Sequence, residues 1–123
     1  FHFLKEGLSQ ISDVSVLDAR DNGIKSSYYC LTAVLSGALT RKRNELVLAL
    51  NKRGIGTSIY YPHPVPRLSY YRTKYGYDSA AYCGAEGISD RSIALPVGPH
   101  LDSKAMTAIT DNFCAIVDGL TGS

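Results

Sequence analysis

The sequence lacks any run of about 18 apolar residues, the length that a helix needs to cross a bilayer. It also lacks an excess of one charge, because 13 Lys and Arg residues stand against 11 Asp and Glu residues. A nucleic-acid-binding domain usually carries a denser basic face. We therefore expect neither a membrane nor a nucleic acid as partner. Ordinary shares of hydrophobic (45%) and charged (20%) residues exclude disordered, collagen-like and coiled-coil chains.

Cysteine, histidine and methionine are scarce. The three cysteines, Cys30, Cys83 and Cys114, are odd in number and too far apart for a zinc knuckle, which predicts reduced thiols in a cytoplasmic protein. The three histidines show no metal-ligand spacing, so no metal site is predicted. Because the only methionine is Met106, we expect the sequence to be part of a longer chain, with catalytic residues lying outside it.

Apolar periodicity and turn residues predict helices that alternate with short strands. This order is typical of an α/β (α+β) fold with a small sheet of about three strands and helices on one face. A helix end is predicted at 1–11, a short extended segment at 14–17, strands at 28–35, 55–61 and 92–95, and helices at 41–53, 67–75, 79–86 and 102–117.

Capping and turn residues set the predicted element ends. Thr40 is the predicted N-cap of the helix that Gly54 ends, and Asp102 is the predicted N-cap of the last helix, which Gly119 ends. Asp21-Asn22-Gly23 predicts a turn, because Asn-Gly tolerates positive φ.

Residues 60–67 (YYPHPVPR) contain the most informative local pattern. Three prolines in five residues exclude a helix or a central strand and predict a stiff, extended loop. His63, between two of them, is either a polar group aimed into a cleft or an exposed loop histidine. Seven of the nine tyrosines fall between 60 and 82, where their rings either stack on a ligand or fill a small core.

Three segments, taken in order, resemble the C-terminal small domain of one enzyme family. Residues 43–57 (RNELVLALNKRGIGT) are similar to that family's Arg-x-x-Leu…Leu-x-x-x-Gly-Ile-x-Thr helix-to-strand turn. Residues 60–62 (YYP) and 71–72 (YR) are similar to its proline-rich loop, and 85–97 (AEGISDRSIALPV) to its Ala-Glu…Leu-Pro segment. The chain thus resembles the DegT/DnrJ/EryC1/StrS family of pyridoxal-phosphate-dependent sugar aminotransferases.

The resemblance implies a domain organisation. Residues 1–123 correspond to the C-terminal small domain of a fold-type I aminotransferase, with a mostly antiparallel sheet. Residues 1–12 correspond to the end of the interdomain helix, and 13–119 to the α/β domain itself. The large domain that binds pyridoxal phosphate in this family is absent from the chain.

The resemblance also implies a function, the transfer of an amino group from glutamate or glutamine to a keto sugar, usually linked to a nucleotide. Since no lysine matches the Schiff-base position, the fragment alone is expected to be inactive and to bind no pyridoxal phosphate, the cofactor of the parent protein. The implied partners are the N-terminal large domain of the same protein, a second copy in a homodimer and the nucleotide-sugar substrate. The candidate substrate-binding residues, which supply rings and hydrogen-bond donors, are Tyr60, Tyr61, His63 and Arg67.

The loop departs from the family pattern at one position. Where the family often has a histidine after Pro-x-Pro-Leu, this chain has Pro66, and His63 lies three residues earlier. Either His63 replaces that histidine, or the substrate is bound without it. On the residues alone two other functions stay open, a stand-alone module that binds a small ligand or single-stranded RNA through its tyrosines, and a structural interaction domain.

Overall fold

A computed structural model describes residues 1–19 and 23–122 of the chain. The elements of that part, in chain order, are α1 (His2–Leu8), β1 (Val14–Leu17), β2 (Leu31–Leu35), α2 (Arg43–Lys52), α3 (Ser69–Tyr75), α4 (Cys83–Arg91), β3 (Ser92–Leu95) and α5 (Ser103–Thr121). Short 3₁₀ turns at Gly37–Leu39, Val65–Arg67 and Ser79–Tyr82 precede α2, α3 and α4.

The three strands form one antiparallel sheet in the order β1-β2-β3. In the register of the first pair Val14 lies opposite Leu35, and in that of the second Leu31 lies opposite Leu95. The predicted small antiparallel sheet, with the strand predicted at 28–35 at its centre, is therefore confirmed. The predicted bounds of β3 match the observed ones, since Pro96 cannot continue the ladder.

One face of the sheet carries the hydrophobic core. Because side chains alternate along a strand, Leu31, Ala33 and Leu35 of β2 share a face, and all three are buried. Helices α1, α2 and α5 pack against that face, as predicted. Their buried side chains are Leu4, Leu8, Leu46, Leu50, Met106, Ile109, Phe113, Ile116 and Val117.

Helix α5 is the longest element and confirms one of its two predicted ends. The Asp102 carboxylate accepts a hydrogen bond from the Ala105 N–H at 2.8 Å, so the predicted N-cap is present. The prediction that Gly119 ends the helix is wrong, because α5 continues to Thr121 and ends at Gly122, which has a φ of +77°. Neither α5 nor any other helix in the described ranges is long and apolar enough to cross a membrane.

Helix α2 begins later than predicted. The Thr40 hydroxyl donates to the Gly37 carbonyl at 2.9 Å, so it serves the preceding 3₁₀ turn, and the prediction of Thr40 as N-cap is wrong. The C-terminal prediction is confirmed, since Gly54 has a φ of +77° and its N–H donates to the Asn51 carbonyl at 3.0 Å.

The predicted strand at 55–61 is wrong. Only Ser58 pairs there, through backbone hydrogen bonds of 2.8 and 3.1 Å with Ala94 of β3. Gly56 weakens an extended ladder and Pro62 has no N–H to donate, so the pairing stops after one bridge. The third strand of the sheet is instead β1, in the segment predicted as merely extended.

The segment between β1 and β2 also differs from the prediction. Strand β2 begins at Leu31 and not at Tyr28, because Tyr28 has a φ of +51°, which a strand does not accommodate. Of the predicted turn at 21–23, Asp21 and Asn22 lie outside the described residues. Gly23 has a φ of +76°, as a turn residue should.

Candidate functional site

The proline-rich loop combines a fixed backbone with exposed side chains. Pro64 is buried and extended, with a φ of −64° and a ψ of 145°. After it the chain enters the 3₁₀ turn that carries Pro66 near its start, and the Arg67 N–H donates to the Pro64 carbonyl at 2.9 Å. Before it, His63 is exposed and Tyr61 is 74% exposed. The side chains of His63 and Tyr61 are therefore exposed on a loop whose backbone the prolines hold rigid.

Arg67 ties this loop to α4. Its guanidinium donates to both carboxylate oxygens of Asp90, at 2.6 and 2.9 Å, and lies 3.1 Å from Glu86 Oε1. Glu86 in turn accepts from the Ser79 hydroxyl at 2.6 Å. Such a planar, bidentate pairing fixes direction as well as distance. The geometry thus gives Arg67 a positioning role, whereas its predicted contact with substrate stays a prediction.

The same ion pair changes the acidity of Asp90. The hydrogen bonds from Arg67, more than the positive charges of Arg67, Arg43 and His63, hold the pKa of Asp90 below its usual value of 3.8. Arg67, Glu86 and Asp90 therefore form one polar cluster at α4.

This lowered pKa predicts a pH-dependent stability. A carboxylate with a lowered pKa stabilises the fold above its ordinary pKa, and that contribution is lost as the pH falls through the folded-state value. Wild type is therefore expected to exceed Asp90→Asn in unfolding free energy at pH 7, modestly because the pair is partly exposed, and to lose that advantage below pH 3.8. Urea denaturation from pH 7 to 2 measures both, with Asp111→Asn on the exposed side of α5 as control. A difference that stays constant with pH would contradict this origin.

The two tyrosines at the start of the loop line a cavity on the sheet face opposite the core. Tyr60 and Tyr61 border a space of about 170 Å³, together with Thr32 of β2 and Ala94 of β3. Tyr60 also contacts Tyr29, with ring centroids 6.1 Å apart. The side-chain hydrogen bond with Tyr29, then the charge of Tyr29 and partial burial, raise the pKa of Tyr60. The Tyr60 phenol thus stays a neutral hydrogen-bonding group at neutral pH.

The structure does not bring the four predicted residues together at one place. Tyr60 and Tyr61 meet at the cavity, Arg67 is paired with Asp90 and Glu86 of α4, and His63 is exposed on the loop between them in sequence. Tyr29 and Cys30, which line the same cavity, were not among the residues predicted from the sequence. Both residues directly precede β2, the central strand, and this position could have identified them. A residue at the end of a central strand lies near the ends of the strands on either side. No group of three or more His, Cys, Asp or Glu side chains within 1–19 and 23–122 is placed to hold a metal ion.

The chain resembles known proteins both in sequence and in fold. Residues 1–114 match the DegT/DnrJ/EryC1/StrS aminotransferase family. A search among curated proteins found no match. Among solved structures, Spr1654 from Streptococcus pneumoniae, assigned as a sugar aminotransferase and solved in its PMP form, is 24% identical with a TM-score of 0.81. The match covers 97% of this chain and 29% of that one.

Two further solved structures share the fold. The aminotransferase TlmJ from Streptoalloteichus hindustanus is 22% identical with a TM-score of 0.80, over 98% of this chain and 30% of its own. Helicobacter pylori PseC, an aminotransferase involved in the biosynthesis of pseudoaminic acid, is 16% identical with a TM-score of 0.80, over 96% and 31%. The chain thus spans less than a third of the proteins it matches. By its match over residues 1–114, it belongs to the DegT/DnrJ/EryC1/StrS aminotransferase family.

Proposed function

We propose that this chain is the C-terminal small domain of a pyridoxal-phosphate-dependent aminotransferase, which transfers an amino group from glutamate or glutamine to a nucleotide-linked keto sugar. The observation that carries the proposal is the family match over residues 1–114. The parent protein is a cytoplasmic homodimer in this proposal, and the small domain packs on an N-terminal large domain. The three unpaired cysteines, Cys30, Cys83 and Cys114, support a reducing compartment.

The cofactor belongs to the large domain in this proposal. Pyridoxal phosphate, when bound, accepts and releases the amino group by acting as an electron sink. The residues that line the cavity beside Tyr60 do not fit it, since that lining contains no lysine to hold its aldehyde and no arginine to hold its phosphate. The isolated 123-residue chain should therefore show no amino transfer.

The proline-rich loop binds the sugar substrate in this proposal. Tyr60 and Tyr61 offer flat rings with a polar tip, and His63 offers a hydrogen-bonding group. The prolines and the Arg67–Asp90 pair keep the loop in place, so that little conformational entropy is lost on binding. The predicted contact between Arg67 and the substrate is part of the same proposal. It would be made by the edge of the guanidinium that faces away from Asp90.

Steady-state and single-turnover kinetics of the full-length protein test the role of His63. His63→Ala is expected to slow the keto-sugar half-reaction by about 5- to 30-fold, the loss of one hydrogen bond, and to leave the glutamate half-reaction nearly unchanged. His100→Ala, at another exposed histidine, is the matched control. Equal losses in both half-reactions, or no loss in either, would show that the loop does not contact the sugar substrate. Failure of the wild-type protein to transfer an amino group to any keto sugar would overturn the proposed function.

A further inference from the structure

Two basic residues at the start of α2 lie where their charge is locally unfavourable. Lys42 directly precedes α2 and Arg43 is its first residue, so both cations lie at the positive end of the helix dipole. Each of them instead binds the end of another helix. Lys42 donates a hydrogen bond to the Leu120 carbonyl near the end of α5, and Arg43 Nη1 donates to the Ser89 carbonyl of α4 at 2.6 Å. A cation that is also a donor is favourable at the C-terminal end of a helix.

The contact between Arg43 and Ser89 is partly buried and lies in the last turn of α4. The last carbonyls of a helix have no partner within it, and the Ser89 carbonyl is one of them. Within Cys83–Arg91, all of which the structure describes, Ser89 alone is buried. The position of α4 therefore depends on β3, which follows it directly, and on polar contacts such as the one from Arg43.

The last turn of α4 also carries the carboxylate that holds the proline-rich loop. Asp90 directly follows Ser89, and its carboxylate accepts two hydrogen bonds from the Arg67 guanidinium. Glu86 lies four residues before Asp90, on the same side of the helix, and is 3.1 Å from Arg67. A displacement of this turn would therefore move both carboxylates, and with them the guanidinium that they hold.

We propose that Arg43 is a positioning residue for the proline-rich loop. Arg43 holds the last turn of α4 in place, and α4 presents Asp90 to Arg67, which fixes the loop at 60–67. Arg43 is not among the side chains that line the cavity beside Tyr60, so it acts on the substrate through other residues. This inference rests on the proposed function, in which the loop contacts the keto sugar, and adds to it a residue that the loop does not contain.

Kinetics of the full-length protein test the role of Arg43. Arg43→Ala is expected to lower kcat/KM of the keto-sugar half-reaction by about 3- to 30-fold, mainly through KM, and to leave the glutamate half-reaction unchanged. Arg43→Lys, which keeps the charge and a donor, should recover part of the loss. Arg41→Ala, at an exposed arginine two residues earlier, is the matched control and should behave as wild type. A similar loss in both half-reactions, or no loss in Arg43→Ala, would overturn the inference.

A double-mutant cycle shows whether Arg43 acts through Asp90. In an Asp90→Ala background, Arg43→Ala is expected to cost less than about 2-fold in the keto-sugar half-reaction, because the link to Arg67 is already broken. The same loss in both backgrounds would mean that Arg43 acts independently of the polar cluster, and the inference would be wrong. If urea denaturation shows that Arg43→Ala does not fold, Arg43→Gln removes the charge, keeps most of the packing and is judged by the same comparison.

Hydrogen–deuterium exchange of the full-length protein gives a readout that does not depend on the reaction. The Arg67 N–H donates to the Pro64 carbonyl at 2.9 Å, so its exchange reports whether the turn is held. Arg43→Ala is expected to speed exchange in the peptide 61–68 by at least about 3-fold and to leave α1 unchanged, whereas Arg41→Ala changes neither. Unchanged exchange at 61–68 overturns this inference and leaves the proposed function intact. The expected exchange, in a protein whose wild type transfers no amino group to any keto sugar, overturns the proposed function alone.

Discussion

Replacing Phe113 by alanine is expected to lower the free energy of unfolding by about 3–5 kcal/mol. Phe113 is the largest of the fully buried side chains, with 0% of its surface exposed, and it lies between Ile109 and Ile116 on the apolar side of α5. Truncation removes its apolar surface from the core and leaves a cavity that the surrounding helices and sheet fill only partly. Small domains are stable by about 5–15 kcal/mol in total, so this one substitution removes a large share.

Urea denaturation followed by circular dichroism measures this loss. Phe3→Ala is the matched control, because Phe3 lies on α1 with 49% of its surface exposed and contributes much less burial. Phe113→Leu, which keeps most of the volume, is expected to fall between the control and Phe113→Ala. A Phe113→Ala variant as stable as Phe3→Ala would show that α5 does not carry the core in solution.

The parts of this fold that were predictable from sequence depend on neighbouring residues. The Asp102 side chain caps a backbone N–H only three residues away, and Pro96 ends β3 because of its own missing donor. Gly54 ends α2 for an equally local reason, its positive φ. Such signals need no knowledge of the tertiary structure, and these predictions were confirmed.

Two of the failed predictions, the strand at 55–61 and the helix end at Gly119, involve contacts between residues distant in sequence. Residues 55–61 contain more strand-forming residues than β1 does, but the whole length of β1 pairs with β2, whereas only Ser58 of 55–61 pairs with the sheet. Gly119 and Gly122 both suit a helix end, and α5 continues to the second, where Lys42 donates a hydrogen bond to the Leu120 carbonyl. Nothing near Gly119 in the sequence reports that contact.

The candidate site was predictable only as a set of residue types. The pattern of tyrosines and prolines at 60–67 indicated a stiff aromatic loop, and the structure confirms its exposure and its support. The partners of Arg67 are Glu86 and Asp90, which lie on a different helix about 20 residues further along the chain. Tyr29 also lines the cavity, although it precedes β2 and is distant in sequence from the loop at 60–67. A side chain that the sequence suggests as a hydrogen-bond donor to substrate, such as Arg67, can therefore already be paired with other residues of the domain.

Replacing Gly37 by alanine is expected to lower the free energy of unfolding by about 2–4 kcal/mol through two separate effects. Gly37 has a φ of +48°, and the left-handed conformation costs other residues about 1–2 kcal/mol. The added Cβ would also lie 2.2 Å from Asp13 Oδ1, so the carboxylate has to move. That movement breaks the 2.8 Å hydrogen bond that it accepts from the Ala38 N–H, with a further loss of about 1–2 kcal/mol.

Gly54→Ala separates the two effects. Gly54 has a φ of +77°, but a Cβ there would meet nothing within 4 Å, so only the backbone term is expected. The excess loss in Gly37→Ala should disappear when both variants are compared in an Asp13→Ala background, since the hydrogen bond is then already absent. Equal losses of unfolding free energy for Gly37→Ala and Gly54→Ala in the wild-type background would show that displacement of the Asp13 carboxylate does not contribute. The contact matters to the fold because Asp13 directly precedes β1 and Ala38 follows β2, where Val14 pairs with Leu35. It therefore fixes the edge strand that the sequence patterns alone did not identify.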